Sequence, residues 1–301
     1  MKIQLFIALL LILLVSCNSE EATPPTPTPE PTPAFDVAKL GTAVTDITYC
    51  TPNDLPQKLD VYYPQSGGPW PVLVYVHGGS WINGDKAEGE GWRGMNEQGY
   101  LVVSLNYRMA ADGKFPVMIE DVKCAVRYLR ANSADYNIDP DRIGAIGASA
   151  GGHLVALLGT ADESAGWDVG EYTDQSSRVQ AVVTMAGPAD FTAKMTNTLN
   201  SSIYYVFGKL AGSDDPINIA ASPVTYIGPD TPPFLIIHGD LDNIVPVEQA
   251  EILHARLTEA GISSQLVIVK GGGHGLDGRE AAPTQAEINE MISDFFEKNL
   301  K

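Results

Sequence analysis

The chain has 301 residues, 44% hydrophobic and 19% charged, which is ample material for one large core with extensions. Its formal net charge of -18 excludes nucleic acid and an anionic lipid surface as electrostatic partners, and it suits a neutral substrate.

At the N-terminus, Lys2 precedes an apolar run from Ile3 to Val15. The run is shorter than the roughly 20 residues needed to span a bilayer and fits a signal-peptide core. It ends in Leu14-Val15-Ser16-Cys17, which resembles the lipobox of bacterial lipoproteins. The resemblance implies a signal peptide over residues 1–16, cleavage before Cys17 and lipidation of the Cys17 thiol. The expected product is an exported lipoprotein, anchored at the outer membrane or cell surface or facing the periplasm, with Asn18 leaning towards the outer membrane. Residues 17–35 are rich in Pro, Thr and Glu, cannot bury a core, and read as a semi-rigid tether. A catalytic-size domain follows over residues 36–301.

The domain opens with "DITYCT" and "QKLDVYYP", an antiparallel pair turning at "PNDLP". The segments "PVLVYVH", "YLVVSLNY", "RIGAIGAS", "VQAVVTMAG", "FLIIHGD" and "SQLVIVKG" are nearly continuous apolar runs. Such runs fit strands buried on both faces of a parallel sheet. Helical spacing joins Val122, Ala125, Val126 and Leu129 between Val117 and Ala131, and Ile252, Leu253 and Leu257 between Val247 and Ala260. A last helix, opened by Pro283 and Thr284, aligns Ile288, Met291, Ile292, Phe295 and Phe296 as core. The alternation predicts a doubly wound, mostly parallel α/β sheet. Residues 187–233 interrupt it with a weak helical pattern, as a lid-like substrate segment would. There Tyr204, Tyr205, Phe207 and Tyr226 either line an acyl site or pack a core. Cys50 sits in an early strand and Cys124 in an apolar helix face, so both are expected to stay unpaired. No spacing of Cys or His suggests a metal, and no cofactor is required.

Gly147-Ala148-Ser149-Ala150-Gly151 matches G-x-S-x-G between a strand and a helix, the setting of a nucleophile elbow. The flanking glycines give steric clearance, and the helix N-terminus behind Ser149 favours developing negative charge. His77-Gly78-Gly79 ends an earlier strand, so Gly78 and Gly79 with Ala150 are the candidate oxyanion donors, Ser80 being an alternative near donor. As a rival nucleophile Ser80 lacks both elbow and base. Of five histidines, His274 in "KGGGHG" follows the last strand, as the Ser–acid–His chain order requires. His77 and His153 read as structural, His238 as buttressing the acid loop, and His254, on an amphipathic helix, as exposed or capping. The acid comes from "FLIIHGDLDNIVP"; Asp242 is favoured over Asp240, and Asp121 reads as structural.

Together "YVHGGSWINGDK", "VVSLNYRMA", "NIDPDRIGAIGASAGGHL", "PPFLIIHGDLDNIVP" and "GGGHG" resemble the feruloyl-esterase-like branch of the bacterial α/β-hydrolases, neighbours of the hormone-sensitive-lipase type. The resemblance runs from about residue 43 to the C-terminus. It implies an α/β-hydrolase fold, Ser149 as nucleophile, Asp242 as acid, His274 as base, and Gly78, Gly79 and Ala150 as oxyanion donors. Lipase-like relatives read GDSAGGN and carry a further Gly after HGG. Here Ala148, His153 and Ser80 stand at those places, favouring the feruloyl-esterase-like branch. The expectation is a cofactor-free serine ester hydrolase whose neutral substrate is an acylated polysaccharide or oligosaccharide, such as feruloyl or acetyl xylan. A generic short-chain carboxylesterase is the main alternative; a serine exopeptidase and a non-catalytic surface lipoprotein are the others.

Overall fold

The structure, a computed structural model, describes residues 35–301. The expected signal peptide, Cys17 and all of the tether except Phe35 lie outside the described residues. Phe35 itself packs edge-on against Trp70, with ring centroids 5.4 Å apart.

The chain lays down β1 (Ala43–Cys50), β2 (Gln57–Tyr62), β3 (Trp70–Val76), α1 (Gly94–Glu97), β4 (Leu101–Leu105), α2 (Val117–Ala131) and α3 (Ser133–Tyr136). Then come β5 (Ile138–Ala148), α4 (Ala150–Thr160), β6 (Ala181–Met185), α5 (Asn197–Phe207) and α6 (Pro216–Ala221). The domain closes with β7 (Phe234–Gly239), α7 (Glu248–Glu259), β8 (Ser264–Val269) and α8 (Gln285–Leu300). One eight-stranded sheet has the order β1-β2-β4-β3-β5-β6-β7-β8. β1 and β2 are antiparallel, β2 also runs antiparallel to β4, and every later pairing is parallel. This is the α/β-hydrolase fold.

Every residue of β3, β4, β6 and β7 is buried, because helices cover both faces. On one face lie α2, α4 and α7; on the other, α8 and the segment around Met95. All of α4 is buried, and its glycines let it approach the sheet: a Cβ on Gly159 would lie 2.7 Å from Val182 Cγ2. The expected faces of α2 and α7 point inward, with Ile252 only half-buried. In α8, Ile288, Ile292, Phe295 and Phe296 are core, but Met291 is 38% exposed and leaves the predicted stripe.

Two findings depart from the sequence reading. Cys50 and Cys124 form a disulfide, with Cα atoms 6.5 Å apart. The end of β1 packs against α2, and that contact between distant elements brings the two buried thiols together. Second, residues 187–233 carry two well-capped helices. The Thr196 hydroxyl accepts from the Leu199 amide, Gly208 closes α5 in the left-handed conformation, and Asp215 caps α6. Leu199, Ile203, Val206 and Phe207 form the buried stripe of α5.

Candidate active site

Ser149 joins β5 to α4 at φ 53° and ψ -119°, a strained conformation for a residue with a side chain. The turn closes only with small neighbours. A Cβ on Gly147 would lie 2.5 Å from the Gly151 backbone, and one on Gly151 would lie 2.0 Å from the Val76 carbonyl oxygen. The Ser149 amide is held by the Met185 carbonyl at 2.8 Å, so β6 fixes the elbow from the side.

The loop after β3 meets the elbow directly. A Cβ on Gly78 would sit 3.0 Å from the Ala148 carbonyl oxygen and 3.5 Å from Ser149 Cβ. Gly79, Ser80 and Trp81 follow with φ of 100°, 56° and 60°. Three contacts hold this costly run. The Ile82 and Asn83 amides donate to the Gly79 carbonyl, and the Ala110 amide donates to that of Trp81. The amides of Gly78, Gly79 and Ala150 donate to no acceptor among the described residues, which leaves them available to an oxyanion. The Ser80 hydroxyl bonds to no histidine there.

His77 and His153 brace this loop. His77 is buried, stacks on Tyr107 at 4.5 Å and donates from Nδ1 to the Gly78 carbonyl. Burial pushes its pKa down against the effect of that hydrogen bond. His153 accepts from Trp81 Nε1 at 3.1 Å and donates from Nε2 to the Ala221 carbonyl at 2.8 Å. Acceptance at Nδ1 needs the neutral ring, and burial lowers its pKa to about 4 against the opposing effect of the Ala221 bond. One imidazole thus ties α4, the β3 loop and the end of α6 together. Around it pack Phe191 and Phe207. Of the four aromatics weighed in residues 187–233, Phe207 is core and Tyr226 packs on Trp167, while Tyr204 and Tyr205 are exposed.

On the far side of the elbow, the loops after β7 and β8 bring an acid to a base. His274 Nδ1 donates to Asp242 Oδ2 at 2.7 Å. Among the described residues this is the only side-chain hydrogen bond of His274, which leaves Nε2 uncommitted there. No hydrogen bond links it to the Ser149 hydroxyl, a contact that commonly tightens only around substrate. The Asp242 side chain is fully buried. Its Oδ1 accepts from the Ile244 and Val245 amides at 2.8 and 3.0 Å. Burial would raise its pKa, but the hydrogen bonds from His238, His274 and these amides outweigh that and hold the carboxyl well below the usual range. Asp240 does a different job, accepting from the Gly271 amide at 2.7 Å and so tying the two loops together. They cross so closely that a Cβ on Gly239 would lie 2.3 Å from the Gly272 carbonyl oxygen. His254 lies apart from the site and bonds to Ser264 on β8. Asp121 is buried with Arg108, whose guanidinium it binds at 2.8 Å.

Beside His274 opens a cleft of about 560 Å³ that the sequence did not reveal, reaching Ala148 and Met185 at the ends of β5 and β6. Among the described residues there is no cluster of His, Cys, Asp and Glu able to hold a metal, and no helix long and apolar enough to cross a membrane.

Residues 59–257 match the BD-FAE family. Esterase LipC of Mycobacterium tuberculosis is 32% identical over 249 residues, 78% of this chain and 62% of that protein. The chain therefore spans less than two thirds of the length of this curated relative. Among solved structures, a truncated carbohydrate esterase from gut microbiota is 30% identical at a TM-score of 0.75, covering 89% of this chain and 99% of that one. A bifunctional GH43-CE protein of Bacteroides eggerthii is 33% identical at a TM-score of 0.74, covering 86% of this chain and 38% of that one. With the elbow, the paired loops and a family match across most of the folded domain, the chain belongs to the BD-FAE family of α/β-hydrolase esterases.

Proposed function

We propose that this chain is a serine carboxylic ester hydrolase that removes acyl groups from carbohydrate. The observation that carries the reading is the 2.7 Å bond from His274 to a buried, strongly ionised Asp242, with His274 lining one cleft with Ala148, the residue before a serine held on a strained elbow. Ser149 Oγ attacks the ester carbonyl while His274 Nε2 takes its proton. Asp242 fixes the imidazole tautomer and stabilises the imidazolium. The tetrahedral oxyanion rests on the amides of Gly78, Gly79 and Ala150. Collapse breaks the acyl–oxygen bond, and the leaving alcohol takes the proton from His274. Water then cleaves the acyl-enzyme by the reverse sequence, and no cofactor enters.

The carbohydrate part of the substrate is supported by the net charge of -18, which favours a neutral ligand, and by a structural neighbour described as a carbohydrate esterase. Feruloyl or acetyl xylan is the substrate class it takes. Lipidation of Cys17 and the Pro-rich tether hold the domain at a bacterial membrane, outside the cytoplasm. The test compares p-nitrophenyl acetate with acetylated and feruloylated xylo-oligosaccharides. Turnover of the oligosaccharide esters that disappears in Ser149→Ala is expected. Turnover of p-nitrophenyl acetate alone would leave a generic short-chain carboxylesterase. Metabolic labelling with palmitate, lost in Cys17→Ser, tests the anchor.

A further inference from the structure

Resting on the ester-hydrolase reading above, we infer that the cleft beside His274 is the binding site for the sugar on the alcohol side of the ester, with Trp92 as its stacking platform. At about 560 Å³ the cleft has the size of a ligand site. Its walls come from opposite ends of the domain: Trp92 and Gln98 from the segment between β3 and β4, Gln285 and Asn289 from the start of α8.

Mechanism fixes which side of the ester faces this cleft. The leaving oxygen must take its proton from His274, so the alcohol lies on the His274 side of Ser149. The cleft is lined by His274 and by Ala148, the residue before the nucleophile. No Asp, Glu, Lys or Arg lines it. In a chain of net charge -18, an uncharged wall next to the base selects a neutral alcohol.

The polar groups suit hydroxyls. Gln285 Nε2 donates to Asn289 Oδ1 at 3.0 Å, and Ser293 Oγ donates to Gln98 Oε1. Each amide is thereby oriented and keeps capacity: Asn289 Nδ2 and Gln98 Nε2 as donors, Gln285 Oε1 as acceptor. Neutral amides that both donate and accept match the vicinal hydroxyls of a pyranose. Trp92 supplies the apolar complement. Its ring leans on Tyr75, with centroids 6.0 Å apart, and is half-buried. The other tryptophans, Trp70, Trp81 and Trp167, are only 2%, 1% and 6% exposed. Trp92 is therefore the one indole able to receive the face of a sugar ring.

The experiment compares wild type and Trp92→Ala on an acetylated xylo-oligosaccharide and on p-nitrophenyl acetate, whose alcohol is no sugar. The expected result is a loss of about tenfold in kcat/KM on the oligosaccharide ester, carried by KM, with p-nitrophenyl acetate within about twofold of wild type. Trp92→Phe recovers part of the loss. Because the other indoles are buried, unacylated xylo-oligosaccharide should also protect wild-type emission from acrylamide quenching, and not that of the variant. Equal losses on both esters, or no loss on either, would overturn the site while leaving the ester-hydrolase reading intact. Wild type that cleaves p-nitrophenyl acetate but no oligosaccharide ester overturns the carbohydrate reading, and the sugar site with it. Wild type that cleaves neither overturns the hydrolase reading itself.

Discussion

His238 Nε2 lies 3.1 Å from the same Asp242 oxygen that accepts from His274 at 2.7 Å. His238 also donates to the Val245 carbonyl at 3.0 Å, and its Nδ1 has no partner. Being fully buried on β7, it is a rigid strut that sets the azimuth of the carboxylate beneath His274. Replacing His238 with Phe removes one donor and the strut together. The expected result is a fall in kcat of about 10- to 100-fold with KM little changed, as for a misplaced reacting group. A variant that lost stability but kept the wild-type kcat would mark His238 as packing alone.

Asp242→Asn tests the acid separately from its loop. Asn keeps the shape and can still accept from the Ile244 and Val245 amides, but it presents no charge to His274. A loss of about 10⁴-fold in kcat on any small ester is expected. Asp240→Asn should cost far less, because Asp240 bonds the Gly271 amide and not the base. Fluorophosphonate labelling disappears in Ser149→Ala and survives in Ser80→Ala. Equal effects at the two aspartates would refute the assignment.

The contrast between those aspartates shows where the sequence was legible. The parallel strands stood out because burial on both faces writes continuous apolar runs, as in "PVLVYVH". The elbow stood out because crowding at Gly147 and Gly151 forbids side chains. Asp242 and Asp240 sit two positions apart, and only the crossing of the β7 and β8 loops decides which one meets His274. The disulfide was hidden for a similar reason: Cys50 and Cys124 meet through the packing of β1 on α2, which no local pattern records. In α5 the stripe Leu199, Ile203, Val206, Phe207 has helical spacing, but its Thr- and Asn-rich opening masked it. The cleft was out of reach, since Trp92 and Asn289 lie at opposite ends of the domain.

The Cys50–Cys124 bridge closes a loop of 74 residues in sequence separation. Loop-closure entropy in the unfolded chain then gives about 4 kcal/mol of stabilisation. Cys50→Ser with Cys124→Ser should lower the melting temperature by roughly 10 °C. The bridge joins β1 to α2, away from Ser149 and His274, so turnover at 25 °C (about room temperature) should persist. An unchanged melting temperature with and without reductant would contradict the pairing.

His153 couples stability to pH. The folded chain holds it neutral with a pKa of about 4, whereas the unfolded chain binds a proton near 6.5. Between those values the unfolded state carries more protons, so stability falls as pH drops from 6.5 towards 4 and is fully retained above that window. The gap corresponds to roughly 3 kcal/mol. His153→Gln removes the titration while retaining a donor and an acceptor for Ala221 and Trp81. Urea unfolding at a series of pH values should find the variant less stable than wild type at neutral pH, with the difference shrinking by about 3 kcal/mol on approaching pH 4. Parallel curves for the two proteins would show that this imidazole is not held neutral. Because the same ring anchors Trp81 behind Gly78 and Gly79, the variant should also lose kcat while the Asp242–His274 pair stays intact.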